Sequence, residues 1–147
     1  MTTDRAEAIA SELLTEAEAC TLATASSGGQ PEAATVRFVC DEEYTIYVNT
    51  ATTYRKYHNL IENPRVALVV TNYTNDIQIE GEAREITGRD AEHAEELYIQ
   101  KYGRSKYLID PNSTFFEIDT TWMRVLVDSH HPPDYEMIIG DTDTESQ

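Results

Sequence analysis

The sequence contains little of three things that often define a protein's class: cysteine, long apolar segments and positive charge. Its two cysteines, Cys20 and Cys40, lack the spacing of a metal site or of a disulfide framework. We therefore expect two reduced, buried thiols. No apolar run approaches the roughly 20 residues of a membrane span, and the N-terminal segment lacks the apolar core of a signal peptide. These absences predict a soluble, cytoplasmic protein.

Positive charge is scarce, because eight arginines and three lysines stand against 27 acidic residues, which leaves a formal net charge of −16. Such a surface repels nucleic acids and anionic membranes, so we expect neither as a partner. Repulsion among the acids destabilises a compact state, and salt screens it. We therefore predict a halophilic protein, with an ordinary acidic mesophilic protein as the alternative.

Acidic residues are missing altogether from the eighteen residues 44–61, although an even spread of 27 acids over 147 residues would place about three there. Within this acid-free window, Arg55 and Lys56 fall in the first turn of a predicted helix, residues 53–63. A helix N-terminus carries partial positive charge, so a cation there costs roughly 0.3–1 kcal/mol. An anion such as phosphate bound at this end would explain both cations.

The apolar pattern predicts one mostly β (α+β) domain over residues 1–140, a small, mainly antiparallel barrel flanked by helices. Residues 3–19 carry the stripe of an amphipathic helix. A third helix is predicted from Asp90, as its N-cap, to Gly103. The predicted strands are residues 20–26, 33–40, 45–48, 66–71, 77–86, 114–118 and 122–127.

Three further features carry predictions about local structure. Gly81 interrupts a predicted strand, which indicates a bulge, a close approach of another backbone or a plain bend. Residues 137–139 form an apolar island, which we expect to dock on this subunit or on a partner. The last seven residues, 141–147, are polar, and we expect them to be disordered.

One group of residues has the chemistry to bind a phosphate. Arg37, on the predicted second strand, would join Arg55 and Lys56, and threonine hydroxyls would donate hydrogen bonds. These hydroxyls belong to Thr50, Thr52 and Thr53. Alternatively, Arg55 and Lys56 are ordinary exposed helix residues and Arg37 pairs with a neighbouring acid. The pattern alone leaves both interpretations open.

Two adjacent histidines, His130 and His131, are the remaining candidates for metal ligands. Adjacent side chains point apart in an extended chain, and we find no carboxylate or cysteine that completes a ligand set nearby. We therefore predict no metal site.

Three strand segments and the Arg55-Lys56 pair follow one another in a recognisable order. They are Thr-Val-Arg-Phe-Val-Cys at 35–40, Ile-Tyr-Val-Asn at 46–49, Arg-Lys at 55–56 and Pro-Arg-Val-Ala-Leu at 64–68. Together they resemble the pyridoxamine 5′-phosphate oxidase-like family of flavin-binding split barrels, over about residues 8–128. The resemblance implies a split barrel and a homodimer with FMN in a cleft between the subunits.

The same resemblance implies a set of FMN contacts. Arg37 and Lys56 would contact the FMN phosphate, with Arg55 beside it. Trp122 would approach from the other subunit, unless it is a core tryptophan of the barrel. Main-chain atoms that line the flavin ring and ribityl chain would come from Phe38, Val39, Cys40, Val48 and Asn49.

Two departures from the family pattern bear on the reaction. The proline that follows the C-terminal strand in the oxidase proper is missing after Leu126, and residues 75–78 read Asn-Asp-Ile-Gln. Oxidation of vitamin B6 is therefore not the expected activity. We expect an FMN-binding oxidoreductase reduced by NAD(P)H or another small donor. The alternatives are an F420-dependent reductase of the same fold and a non-catalytic flavin- or haem-binding carrier or sensor.

Overall fold

The part of the chain that the computed structural model describes, residues 4–72 and 74–140, contains eight strands and four helices. The strands are β1 (Cys20–Ala25), β2 (Pro31–Val36), β3 (Phe38–Cys40), β4 (Ile46–Ala51), β5 (Arg65–Thr71), β6 (Asp76–Ile86), β7 (Ser113–Asp128) and β8 (Asp134–Ile139). The helices are α1 (Asp4–Glu16), α2 (Arg55–Glu62), α3 (Gly88–Tyr102) and α4 (Lys106–Ile109). None of these four helices has the length and apolar character to cross a membrane. The tail predicted to be disordered, residues 141–147, lies outside the described residues.

All strands belong to one antiparallel sheet, in the order β2-β1-β5-β6-β7-β4-β3, with β8 paired to β7 beyond that path. The sheet curls around a core, as expected for a split barrel, and the helices flank it. The predicted fold class, a mostly β (α+β) split barrel, is therefore confirmed. Sequence-adjacent strands pair as hairpins where a short turn allows it, as in β1–β2 and β5–β6.

The predicted second strand is two strands, which corrects the placement of Arg37. β2 pairs with β1, whereas β3 pairs with β4, so the chain changes its pairing partner between Val36 and Phe38. Arg37 is the residue at this break, and it is exposed between two buried neighbours. A residue outside the ladder is free to aim its side chain away from the sheet, and this is what allows Arg37 to reach the site described below.

The two predicted strands near the C-terminus, residues 114–118 and 122–127, are one continuous strand, β7, which spans both. The register between β6 and β7 shifts between Glu80 and Gly81, and the resulting bulge absorbs the apparent break. A Cβ at Gly81 would lie 2.5 Å from the backbone oxygen of Asp119. The predicted bulge and close approach at Gly81 are thus confirmed.

The helix starts agree with prediction at α2 and disagree at α3. Arg55 is the first residue of α2, Tyr54 is its N-cap, and its first turn contains no acid. α3 begins at Gly88 with Thr87 as its N-cap, so the assignment of Asp90 as the cap is wrong. Asp90 lies instead in the first turn, where its negative charge interacts favourably with the helix dipole.

The core lies inside the curled sheet and draws side chains from every strand. In β6, buried and exposed residues alternate almost without interruption, as expected for a strand with one face toward the core. The apolar island of residues 137–139 lies in β8, where Met137 is buried against the same subunit. On the other side of β3, β4 and β7, α3 covers a second, smaller core that includes Ala94 and Tyr98.

Candidate anion-binding site

A cavity of about 240 Å³, the candidate anion cavity, opens where the β2–β3 break, the end of β4 and the start of α2 meet α3 and α4. Residues that are far apart in sequence therefore share one small volume. The lining consists of Thr35, Val36, Arg37, Asn49, Thr50, Ala51, Tyr54, Lys56, Tyr98, Tyr107, Asp110 and Ser113. Two cations predicted to bind phosphate, Arg37 and Lys56, are thus brought together, as is one predicted hydroxyl, that of Thr50.

Arg37 is held by tyrosines. Its Nη1 donates a hydrogen bond to the hydroxyl oxygen of Tyr98 over 3.0 Å. Its guanidinium carbon lies 4.8 Å from the ring centroid of Tyr102 and 5.7 Å from that of Tyr107, within cation–π range. The hydrogen bond to Tyr98 is the main reason that the pKa of Arg37 is raised. No carboxylate in residues 4–72 or 74–140 forms an ion pair with Arg37.

Lys56 is half-buried, and its ammonium lies 4.6 Å from the ring centroid of Tyr54. Burial lowers the pKa of Lys56 below its usual value, and the negative charge of Glu32 partly opposes that effect. A partly desolvated ammonium gains more from an anionic partner than an exposed one does, because the surrounding dielectric is lower. The position and environment of Lys56 therefore suit an anion.

Thr50 provides the third predicted group. Its side chain is only 4% exposed, and its hydroxyl has no hydrogen-bond partner within the described chain. A buried polar group without a partner costs about 1–3 kcal/mol. Thr50 also lines the cavity, so a ligand oxygen that reached this hydroxyl would give it a partner. The neighbouring amide of Asn49 is engaged already, because it donates to Ser113 Oγ at 2.7 Å and to the Thr114 carbonyl at 3.1 Å.

Arg55 behaves differently from its neighbour Lys56. Its Nε lies 3.3 Å from a Glu32 carboxylate oxygen, and its side chain is 76% exposed. Arg55 does not line the cavity, and neither do Thr52 and Thr53. The structure therefore places Arg55 outside the cavity, as an exposed helix residue paired with Glu32, and Arg37 and Lys56 inside it. Phosphate binding by these residues stays a prediction.

The main-chain N–H and carbonyl of Phe38 form hydrogen bonds within the protein. Tyr102 Oη lies 2.9 Å from the Phe38 carbonyl, and the Phe38 N–H donates to the same hydroxyl at 3.1 Å. Lys101 Nζ also donates to the Phe38 carbonyl, at 3.1 Å. Val39 and Val48 are buried, and none of these three residues lines the cavity. Their predicted role along the flavin stays a prediction.

The two cysteines are free, with Cys20 buried and Cys40 half-buried. Burial raises the pKa of each thiol to about 12. Both therefore stay protonated near neutral pH, which gives them little nucleophilic character. Cys40 does not line the cavity, although the resemblance places its main chain beside the flavin.

Trp122 lies elsewhere, on the outward side of β7. The sequence predicted this strand to be the last one, but β8 follows it. It lines a second, open cavity of about 480 Å³ with residues of β1, β5 and β6. The guanidinium carbon of Arg124 lies 5.4 Å from its ring centroid. Trp122 is half-buried and does not line the anion cavity of the same subunit. Its approach to a partner's cofactor remains a prediction.

The structure corrects the expectation that no carboxylate near the two histidines completes a ligand set, because Asp128 and Asp134 lie beside His130. His130 Nε2 lies 3.0 Å from an oxygen of Asp134 and 3.7 Å from one of Asp128, and the three ligand atoms lie within 4.8 Å of one another. The three groups already contact one another on the surface of the β7–β8 hairpin. They are not part of the anion cavity.

Sequence reasoning missed the helical side of the site, Tyr98, Tyr107 and Asp110. These residues follow Arg37 by about 60 positions or more, and only the packing of α3 and α4 brings them near it. A signal did exist: Tyr98, Lys101 and Tyr102 have the i, i+3, i+4 spacing of one helix face. The polar ends of these three side chains point into the protein, where they contact Arg37 and Phe38.

The comparisons with known proteins agree with the fold. The family model described as pyridoxamine 5′-phosphate oxidase matches residues 6–126, most of the chain. The chain therefore belongs to this family, as its sequence motifs predicted. No curated protein sequence matches it.

Solved structures give the same picture. A haem-binding protein from Mycobacterium smegmatis shows a TM-score of 0.75 at 18% identity, over 93% of this chain and 59% of its own, so this chain spans just over half of that protein. A protein from Listeria innocua described as a candidate pyridoxamine 5′-phosphate oxidase shows 0.67 at 19% identity, over 83% and 98%. An F420 reductase shows 0.61 at 20%, over 76% and 93%. These likenesses establish the fold alone.

Proposed function

We propose that this protein binds FMN through its 5′-phosphate in the cavity formed by Arg37, Thr50 and Lys56, and acts as a flavin-dependent oxidoreductase. The observation that carries the proposal is at Thr50, whose buried hydroxyl lacks a partner in the described chain and which lines the same cavity as two cations. A phosphate offers this hydroxyl an acceptor and both cations a counter-charge. The groups present therefore fit the phosphate end of FMN.

Charge supports the same assignment. In a chain of net charge −16, an anionic ligand can bind only where acids are locally few. The cavity contains one carboxylate, Asp110, against Arg37 and Lys56. The Asp110 carboxylate accepts a hydrogen bond from the Asn112 N–H at 2.8 Å, which partly occupies it within its own turn.

We further propose a homodimer. A cavity of about 240 Å³ is smaller than the roughly 300–1,000 Å³ of most ligand sites, so one subunit would hold the phosphate end and leave the ring exposed. A second copy could cover the ring. The outward faces of β1 and β5 suit such a contact, because Thr21, Ala23, Ala67 and Val69 are small or apolar and carry no charge. Two chains this acidic can associate only through a face where acids are few.

In this proposal, bound FMN supplies the redox chemistry, and the protein binds and orients it. NAD(P)H or another small donor would reduce the flavin in a cytoplasmic, halophilic setting. F420 is the alternative cofactor, and a non-catalytic flavin or haem carrier is the alternative role. F420 has a longer anionic tail, and this cavity offers only two cations for it.

The test is a fluorescence titration of the purified protein with FMN and with riboflavin, which lacks the phosphate, in molar KCl. If two charge-assisted hydrogen bonds each contribute about 1.5–3 kcal/mol, FMN binds at least about 100-fold more tightly than riboflavin. Equal affinities would show that the phosphate is not recognised. Parallel titrations with F420 and haemin separate the alternative ligands, and steady-state turnover with NAD(P)H separates an enzyme from a carrier.

A further inference from the structure

One face of α3 contacts the chain where the anion cavity begins. Tyr98, Lys101 and Tyr102 follow the i, i+3, i+4 spacing of a single helix face. Lys101 and Tyr102 both hydrogen-bond the Phe38 carbonyl, and Tyr98 accepts a hydrogen bond from the side chain of Arg37. Two consecutive residues at the β2–β3 break, Arg37 and Phe38, are therefore fixed by one helix.

The contact leaves Arg37 able to bind an anion. A guanidinium has five N–H donors, and the bond to Tyr98 uses one of them. An acidic partner would compensate the charge of Arg37, whereas a tyrosine hydroxyl orients it and leaves the charge in place. The rings of Tyr102 and Tyr107 restrict the guanidinium further. Arg37 is thus held in place in the cavity with its charge available.

We propose that Tyr98 is a positioning residue for phosphate recognition, which holds Arg37 in the orientation that binds the anion. The proposal rests on the proposed function above. Tyr98 is 2% exposed and also lines the cavity. Its hydroxyl lies 3.5 Å from Ser105 Oγ, so α3 and the turn before α4 both support it. Pre-orientation increases affinity because less side-chain freedom is lost when the ligand binds.

The test is a double-mutant cycle of Tyr98→Phe and Arg37→Ala, measured by FMN titration. Tyr98→Phe keeps the buried ring and removes only the hydroxyl. We expect it to weaken FMN binding about threefold to tenfold, the range for loss of one typical intramolecular hydrogen bond, because Tyr98 orients Arg37 through that bond. The loss should be less than about twofold when Arg37 is already alanine. Riboflavin affinity should not change. Equal losses in both backgrounds, or an equal loss for riboflavin, would overturn the proposal.

Tyr57→Phe is the matched control. The Tyr57 hydroxyl also makes one side-chain hydrogen bond, to Glu85 at 3.1 Å, but Tyr57 does not line the cavity. FMN affinity should stay within about twofold in this variant. A Tyr57→Phe loss as large as that of Tyr98→Phe would assign the effect to general destabilisation and refute the positioning role.

A second measurement needs no ligand. The guanidinium NMR signal of Arg37, identified by its disappearance in Arg37→Lys, should show hindered rotation in the wild type and faster rotation in Tyr98→Phe. Identical rotation in both proteins would refute the positioning role. Failure of the wild type to bind FMN would instead remove the proposed function, and the NMR measurement would still decide whether Tyr98 holds Arg37.

Discussion

Arg55 and Lys56 are adjacent cations that the sequence gives no reason to tell apart, but the structure places them in different environments. Lys56 lines the anion cavity, whereas Arg55 points to Glu32 and is 76% exposed. We predict that Lys56→Met weakens FMN binding strongly and that Arg55→Met leaves it nearly unchanged. Methionine keeps an unbranched side chain and good helix propensity in both cases, so the two variants form a matched pair.

The expected magnitudes differ because the environments differ. Lys56 is partly desolvated, so its bond to a phosphate should contribute about 1.5–3 kcal/mol, which corresponds to a roughly tenfold to hundredfold loss of affinity. The Arg55 side chain of the Arg55–Glu32 pair is 76% exposed, and ion pairs that solvent reaches contribute about 0–1 kcal/mol to stability, less in high salt. We therefore expect Arg55→Met to change FMN affinity by less than about threefold.

The assay is a fluorescence titration of FMN against both variants and the wild type in the same molar KCl buffer. Thermal denaturation of each protein controls for loss of fold. Equal losses in the two variants would show that long-range charge, rather than a cavity contact, attracts the ligand. A larger loss in Arg55→Met would refute the assignment of the cavity as the phosphate site.

Three further predictions follow from the same structure. FMN affinity should decline at alkaline pH, starting below pH 10.5, because burial lowers the pKa of Lys56 and the ligand-free protein therefore loses that charge early. In a series of titrations at different pH values, Lys56→Arg should move the decline to higher pH. Gly81→Ala should lower the free energy of unfolding by roughly 1–3 kcal/mol, since its Cβ would meet a backbone oxygen at 2.5 Å, whereas Gly28→Ala, with 3.9 Å to its nearest neighbour, should change denaturant unfolding little. The melting temperature should rise between about 0.1 M and about 2 M KCl because the Debye length shrinks from about 10 Å to below about 3 Å, and an unchanged value would contradict the halophilic assignment.

Local patterns were sufficient for most elements of the fold. Apolar runs identified β5 and β6 nearly to their ends, and the acid-free start of α2 was located correctly. The errors in the strands occurred where a strand changes partner or bulges. The break at Arg37 and the continuity of β7 depend on pairing with distant strands, and a one-dimensional pattern does not contain that information.

The sequence alone determined the chemistry required of the site: cations without nearby acids, at a helix start, in a chain that is otherwise strongly acidic. It also determined the family, through short motifs on β2 to β5. Only the tertiary structure decided which cations meet. The β2–β3 break and the tyrosine face of α3 bring Arg37 into the cavity that Lys56 and Thr50 also line, and the Thr50 hydroxyl has no partner among the described residues. Glu32 pairs with Arg55 outside that cavity. The reason is that side-chain direction at a strand break or a helix start depends on what packs against it, and some of those partners lie about 60 residues or more away in the sequence.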